Sequence, residues 1–312
     1  MQPPIIRVAD VAFPRFRAPD LDRMEAFLTA FGMRRAARTE HALYMRGSDP
    51  QHHVHVTHLG EPAFLGLAFQ AASGADLDRL AAATSTAVEP LDEPGGGRVV
   101  RLRDPDGRHV QVVHGIATLA PLPLREHPPL NTGAERRRVV TLQRVQPGPA
   151  QVKRFGHAAI KTPNLDAVAG WYRQTLGLLV SDDFFLESPD KPIGCFLRCD
   201  RGDQPVDHHS LLVLEAPEAK LGHAAWEVAD FDDLMVGREH LALNGHGALP
   251  YWGVGRHVLG GQVFDYWKDP FGFTVEHWTD SDLLRADTPP GSHHLMNALN
   301  QWGPMPPADL DF

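Results

Sequence analysis

Gly156-His157-Ala158-Ala159 recurs 66 residues later as Gly222-His223-Ala224-Ala225, and a chain that repeats itself at a fixed offset is built from copies of one structural unit. After the first copy come Asn164-Leu165-Asp166 and a run through Trp171, Tyr172 and Leu176. After the second come Asp230-Phe231-Asp232 and a run through Leu234, Leu241 and Leu243. Asn or Asp before such a run is an N-cap, because its side-chain oxygen satisfies a first-turn N–H that lacks a helical partner. Each copy therefore reads as a strand and then a capped helix. The first helix stops at Gly177, and β-like stretches follow at 178–187, 193–199 and 209–215. The second is followed by stretches at 248–251, 262–267 and 274–278, so the unit is βαβββ.

The N-terminal part carries the same plan. Pro19-Asp20-Leu21-Asp22 and a helix ending near Gly32 match Pro163-Asn164-Leu165-Asp166 and Gly177. A further unit starts near Phe64-Leu65-Gly66 and passes through Ala75-Asp76-Leu77-Asp78. It ends in Asp104-Pro105-Asp106-Gly107-Arg108-His109-Val110-Gln111, the parallel of Asp269-Pro270-Phe271-Gly272-Phe273-Thr274-Val275-Glu276. The expected fold class is α+β: four βαβββ modules paired into two domains, each a curved, partly closed mixed β-sheet with helices outside. The expected divisions are an N-terminal domain 1–115, a proline-rich linker 116–150, a C-terminal domain 151–285 and an irregular tail 286–312.

Composition narrows the function. A chain of 312 residues with 43% hydrophobic residues is long enough for two cores. Its 30 basic and 39 acidic residues give a net charge of −9, which argues against nucleic acid as a partner and leaves a small molecule as the default ligand. No run of roughly 18 apolar residues is present, and Met1-Gln2-Pro3-Pro4-Ile5-Ile6-Arg7 lacks the basic start of an export signal, so a cytoplasmic protein with no membrane partner is expected. Cys195 and Cys199 fall on one face of a probable strand, where a bridge would be strained, and read as buried free thiols.

His157 and His223 stand at equivalent positions of two repeated units, each on its unit's first strand, and Glu276 lies on the last strand of the fourth. Two neutral imidazoles and a carboxylate on one face of an octahedral iron(II) leave positions open for a substrate and for oxygen. Any His-His-Glu set is a weak signal among 18 histidines, and it is the repeat that singles this one out. Transferring the three positions to the N-terminal half gives Phe13, Gly66 and Gln111, which is no ligand set.

At this point the chain resembles the type I extradiol ring-cleaving dioxygenases of the vicinal oxygen chelate (glyoxalase/bleomycin resistance/dioxygenase) superfamily. The resemblance covers nearly the whole chain in organisation and about 154–280 in motif. Gly255-Arg256-His257, Phe264-Asp265-Tyr266 and Asp269 to Glu276 carry it. It implies Fe(II), or else Mn(II), held by His157, His223 and Glu276, with O2 as co-substrate. It also implies a catalytic histidine beside the metal, a tyrosine that hydrogen-bonds the substrate at Tyr266, and a supporting histidine at His257. Asp207-His208-His209-Ser210-Leu211 occupies the place of the catalytic histidine. The role is assigned to His209, with His208 as the alternative, because adjacent strand residues face opposite ways.

The implied activity is extradiol (meta) cleavage of a small aromatic diol, a catechol, to a ring-opened semialdehyde or keto acid in aromatic catabolism, by a homo-oligomer. The alternatives are a metal-dependent glyoxalase-like isomerase or lyase, a non-catalytic binding protein of the bleomycin-resistance type, and oxidative cleavage of a non-catecholic aromatic. Trp226, Trp252, Trp267, Phe264 and Phe271 are candidates to shape the pocket, and Arg256 and Arg285 to meet a substrate carboxylate. His277, on the face opposite Glu276, is left out of the site. Gln51-His52-His53-Val54-His55 and His293-His294 are read as exposed histidines, and Gly95-Gly96-Gly97 as a turn.

Overall fold

The computed structural model describes residues 3–125 and 128–307. It has two large mixed sheets, one from each half of the chain. The second runs in the order Gly291–His294, Leu179–Phe185, Pro192–Arg198, Leu211–Glu215, Val152–Thr162, Lys220–Val228, Thr274–Thr279, Val263–Lys268, Leu249–His257, Asn300–Trp302. The first uses eight strands between Val8 and His114 and has Val8–Ala18 and Ala63–Ala71 as its central pair. In both, the first strands of paired βαβββ units lie antiparallel at the centre, and each unit's remaining strands extend outward.

The helices begin where the cap residues placed them. Asn164 Oδ1 accepts from Ala167 N ahead of the helix Leu165–Leu176, and Asp230 caps Phe231–Asn244 through Asp233 N. Gly177 closes the first of these with φ 73°, a left-handed conformation that costs a residue without a Cβ nothing. The two Asp-Pro-x-Gly turns are copies down to their hydrogen bonds. Asp104 Oδ1 accepts from Asp106 N and Arg108 N, and Asp269 Oδ1 from Phe271 N and Phe273 N, at 2.8–3.0 Å. Each turn aims the strand that follows it, and in the second turn that strand carries Glu276.

The tail differs from expectation. Gly291–His294 pairs in parallel with Leu179–Phe185, and Asn300–Trp302 pairs antiparallel with Leu249–His257, so the tail supplies both edge strands of the ten-stranded sheet. Five residues separate these two edge strands and span at most about 20 Å. The sheet is therefore open in its hydrogen bonding yet curled until its edges nearly meet, and the tail clasps them. Short polar segments such as Gly291-Ser292-His293-His294 carry no strand pattern of their own; the exposed edge they pair with makes them strands.

The two sheets meet over a buried junction. His277 Nε2 donates to the Phe31 carbonyl at 2.7 Å and its ring stacks on Phe31 at 3.7 Å. Trp226, expected near the pocket, instead donates to the Val54 carbonyl at 3.0 Å. His53 and His55 also lie inside, at 3% and 2% exposure, which corrects their reading as surface histidines. His55 stacks on Phe16, and His53 lies against Phe13 and Tyr44. The segment 116–150 holds no helix or strand among its described residues, and Arg125 anchors it to the buried Asp233 at 2.7 Å.

Candidate metal centre

Register brings the triad together. His157 stands opposite Ala225, and Ala225 opposite Glu276, across three adjacent strands. A register shift between Leu221 and His223 sets the second histidine beside them. His157 Nε2 lies 3.2 Å and His223 Nε2 3.3 Å from Glu276 Oε2, and the ligand atoms of the three all lie within 4.8 Å of one another. A cation holding cis ligands at about 2.1 Å sets them about 3 Å apart, so the set fits one ion. Among the described residues, no other His, Cys, Asp and Glu group is so arranged.

The electrostatics suit a bound cation. Glu276 is fully buried, and its Oε1 and His223 Nε2 have no hydrogen-bond partner. Burial raises the Glu276 pKa, and His223, His257 and Tyr266 offset this only in part. Burial likewise pushes His157 and His223 down to about 3, which keeps both imidazoles neutral and their lone pairs available. In the first sheet the same ladder joins Phe13, Ala68 and Gln111. There Phe13 packs with Tyr44 and Val56, and Arg15, paired with Glu93 at 2.7 Å, holds Gln111. That cup is filled.

His157 and His223 line a cavity of about 260 Å³, and Glu276 lies buried against them. His209, His257 and Tyr266 line it too. The His209 ring lies 4.2 Å from that of His157, and His257 Nε2 is 3.1 Å from the Tyr266 hydroxyl. Burial and then the charge of Glu276 push the Tyr266 pKa well up, so it remains an O–H donor, and burial pushes His257 down to about 4. His208 points elsewhere: its Nε2 meets Asp182 at 2.6 Å. His208 and His209 lie in a bend just before the strand Leu211–Glu215 and not within it, yet they still diverge.

One stretch of the wall is apolar: Phe184, Phe196, Leu212, Leu214, Leu295 and Leu299. The last two come from the clasping tail. Of the aromatic candidates only Trp252 lines the cavity. Phe264 packs behind it at 4.6 Å, and Trp267 is turned toward Asp265. Neither arginine candidate reaches the cavity: Arg256 pairs with Asp280 and Arg285 with Asp287. The cationic lining residues are Lys161, Lys220 and Lys268, which sequence reasoning missed. Period-2 spacing was the available signal, since Lys161 follows His157 by four and Lys268 follows Tyr266 by two.

Buried histidines also predict acid sensitivity. His53, His55, His157 and His223 are lowered to about 3, and His257 and His277 to about 4, burial being the largest cause in each. A folded pKa below the unfolded value near 6.5 means that only the unfolded chain binds protons between the two. The stability is whole above about pH 6.5 and is lost as pH falls toward 4, at about 1 kcal/mol or more per histidine per pH unit. Six such groups outweigh a typical stability of about 5–15 kcal/mol within roughly two units. The metal-free protein is expected to unfold between about pH 6 and 4, read as a falling urea midpoint by circular dichroism. A midpoint unchanged from pH 7 to 4 would refute this.

No sequence-family model matches the chain. It is 34% identical over 300 residues to metapyrocatechase 2 of Cupriavidus necator, covering 92% of this chain and 86% of the relative. The Mn(II)-bound glyoxalase of Novosphingobium aromaticivorans is 25% identical, with a TM-score of 0.77 over 95% of this chain and 91% of that one. Homoprotocatechuate 2,3-dioxygenase of Brevibacterium fuscum, in its complex with 3,4-dihydroxyphenylacetate, shares the fold at a TM-score of 0.80 and 16% identity, over 98% of this chain and 92% of that one. Sequence kinship of that extent with a metapyrocatechase places the chain among the type I extradiol dioxygenases of the vicinal oxygen chelate superfamily.

Proposed function

We propose that the protein opens the ring of a catechol beside its diol, with iron(II) as the resident ion and O2 as co-substrate. The observation that carries this is that one cavity is lined by both histidines of a His-His-Glu set and by three further proton-handling groups, His209, His257 and Tyr266. His157, His223 and Glu276 would hold the ion. When bound, it would bring diol and oxygen together and let electrons pass between them, which ground-state oxygen does not achieve with a closed-shell ring.

The chain's own residues manage position and protons. His257 Nδ1 donates to the Leu299 carbonyl at 3.3 Å, which leaves Nε2 to accept from the Tyr266 hydroxyl. Tyr266 can then take a diol proton on its oxygen while passing its own to His257. His209 faces the cavity from the other side, beside His157, where a neutral imidazole can take up and return a proton. The apolar wall of Phe184, Phe196 and Leu212 suits a flat ring and excludes water.

The glyoxalase relationship keeps a second chemistry in view, in which the ion acts as a Lewis acid without oxygen. Three imidazole or phenol groups around the open side favour ring cleavage. The test is anaerobic loading with iron(II), addition of a panel of catechols and then air. Oxygen uptake with a yellow ring-opened product is expected; no uptake with any diol would sink the proposal. Turnover without oxygen, or restored by zinc or nickel, would support the isomerase instead.

We further propose that the chain forms two domains, 1–115 and 151–285, the second with its sheet completed by the tail, and that the protein works in the cytoplasm as a homo-oligomer. Cys195 and Cys199 are free and buried, which suits a reducing compartment. No helix among the described residues is long and apolar enough to cross a membrane.

A further inference from the structure

We propose that His208, Asp182 and His293 form a hydrogen-bonded relay that sets the tautomer of His209 and links it to solvent. Its use rests on the ring-cleavage reading; its existence does not. His209 Nδ1 lies 3.0 Å from His208 Nδ1, His208 Nε2 lies 2.6 Å from Asp182 Oδ2, and Asp182 Oδ1 lies 3.0 Å from His293 Nε2. Side-chain exposure rises along the outer part of this path, from 3% at His208 to 16% at Asp182 and 39% at His293. The path thus runs from the cavity wall to the surface, and its last member belongs to the clasping tail.

The polarity of the array follows from which groups can donate. Asp182 is an acceptor: burial disfavours its charge, but the hydrogen bonds it receives from His208 and His293 hold its pKa below the usual carboxylate value. His208 must then carry a proton on Nε2, and as a neutral imidazole it offers Nδ1 as an acceptor. The contact between the two Nδ1 atoms is satisfied only if His209 donates from Nδ1. His209 therefore presents an unprotonated Nε2 to the cavity, the state required of a base. When Nε2 takes a proton, the His209 Nδ1 proton passes to His208 Nδ1 and the His208 Nε2 proton passes to Asp182 Oδ2, which holds it as a neutral carboxyl while His293 still donates to Oδ1. The shifts run backwards when His209 returns its proton, so charge and atoms balance.

Asp182→Asn tests this with an isosteric change at a partly exposed site. Gly291 N donates to Asp182 Oδ1 at 3.1 Å, so the Asn oxygen stays there and its NH2 turns to His208. His208 must then accept on Nε2 and donate from Nδ1, which forces His209 to carry its proton on Nε2. Nitrogen-15 NMR of histidine-labelled, metal-free full chain should show Nδ1–H at His209 in the wild type and Nε2–H in Asp182→Asn. The same tautomer in both would overturn the proposal, whether or not the protein cleaves catechols. In the iron-loaded enzyme, Asp182→Asn is expected to lower kcat roughly 10- to 100-fold, the scale for an outer partner of a site, with KM and iron content unchanged. His293→Gln, which changes one donor to Asp182 and leaves the His208 contact in place, should lower kcat less. Wild-type kcat in Asp182→Asn, or a loss seen only as lost iron, would also overturn it.

Discussion

Glu276→Gln is expected to empty the metal centre and, in the same molecule, to make the metal-free protein harder to unfold. The carboxylate is fully buried, its Oε1 has no hydrogen-bond partner, and burial raises its pKa. A charge held this way destabilises the empty site and is offset only by a cation. The neutral amide removes the desolvation cost and also the only anionic ligand. Loss of iron affinity should exceed the roughly 10–100-fold typical of removing an outer partner, and ring cleavage should fall with it. Two measurements check this: iron content after desalting, and thermal unfolding with and without iron. Wild type should melt higher with iron, whereas Glu276→Gln should melt at one temperature in both cases, above metal-free wild type. Retained iron, or a metal-free variant less stable than wild type, would show that Glu276 is not the ligand its surroundings suggest.

The parts of this site that were legible in the sequence are those that β-pairing transfers. Because the repeat fixes register, placing Phe13, Gly66 and Gln111 against His157, His223 and Glu276 needed no structure, and the ladders Phe13–Ala68–Gln111 and His157–Ala225–Glu276 pair in the same way. The Asp-Pro-x-Gly turns and Asn164 and Asp230 caps were legible for a related reason: their hydrogen bonds close within four residues. What escaped depends on distant partners. His53 and His55 are buried by the opposing half of the chain as well as their own, and His55 lies 5.7 Å from Trp226. Asp182 meets histidines 26 and 111 residues away. The tail became strands because the sheet left two edges for it.

The clasp also changes how the cavity should be understood. Leu295 and Leu299, between the two edge strands, form part of the wall, and the Leu299 carbonyl holds His257. Residues far from the metal ligands in sequence thus decide both the shape of the cavity and the orientation of a group on its rim.

The division of labour between His209 and the triad gives the second large effect. His209→Ala is expected to keep iron at the wild-type level while lowering kcat roughly 10²- to 10⁴-fold, the usual contribution of a positioned acid–base group. The reason is geometric. His209 touches the His157 ring at 4.2 Å, but it is not one of the three residues whose ligand atoms converge, and its Nδ1 is engaged by His208. Removing it leaves the floor of the cavity intact and takes away the base facing the substrate. His223→Ala should do the opposite, releasing iron and abolishing turnover together. Iron content by mass spectrometry, with KM and kcat for one catechol, separates the two variants. Since alanine also leaves a gap beside His157, His209→Asn serves as the filled control and should show the same loss of kcat. Equal iron loss in His209→Ala and His223→Ala would overturn this division and make His209 part of the metal's support, whereas iron retention with near-normal kcat would deny it any part in moving protons.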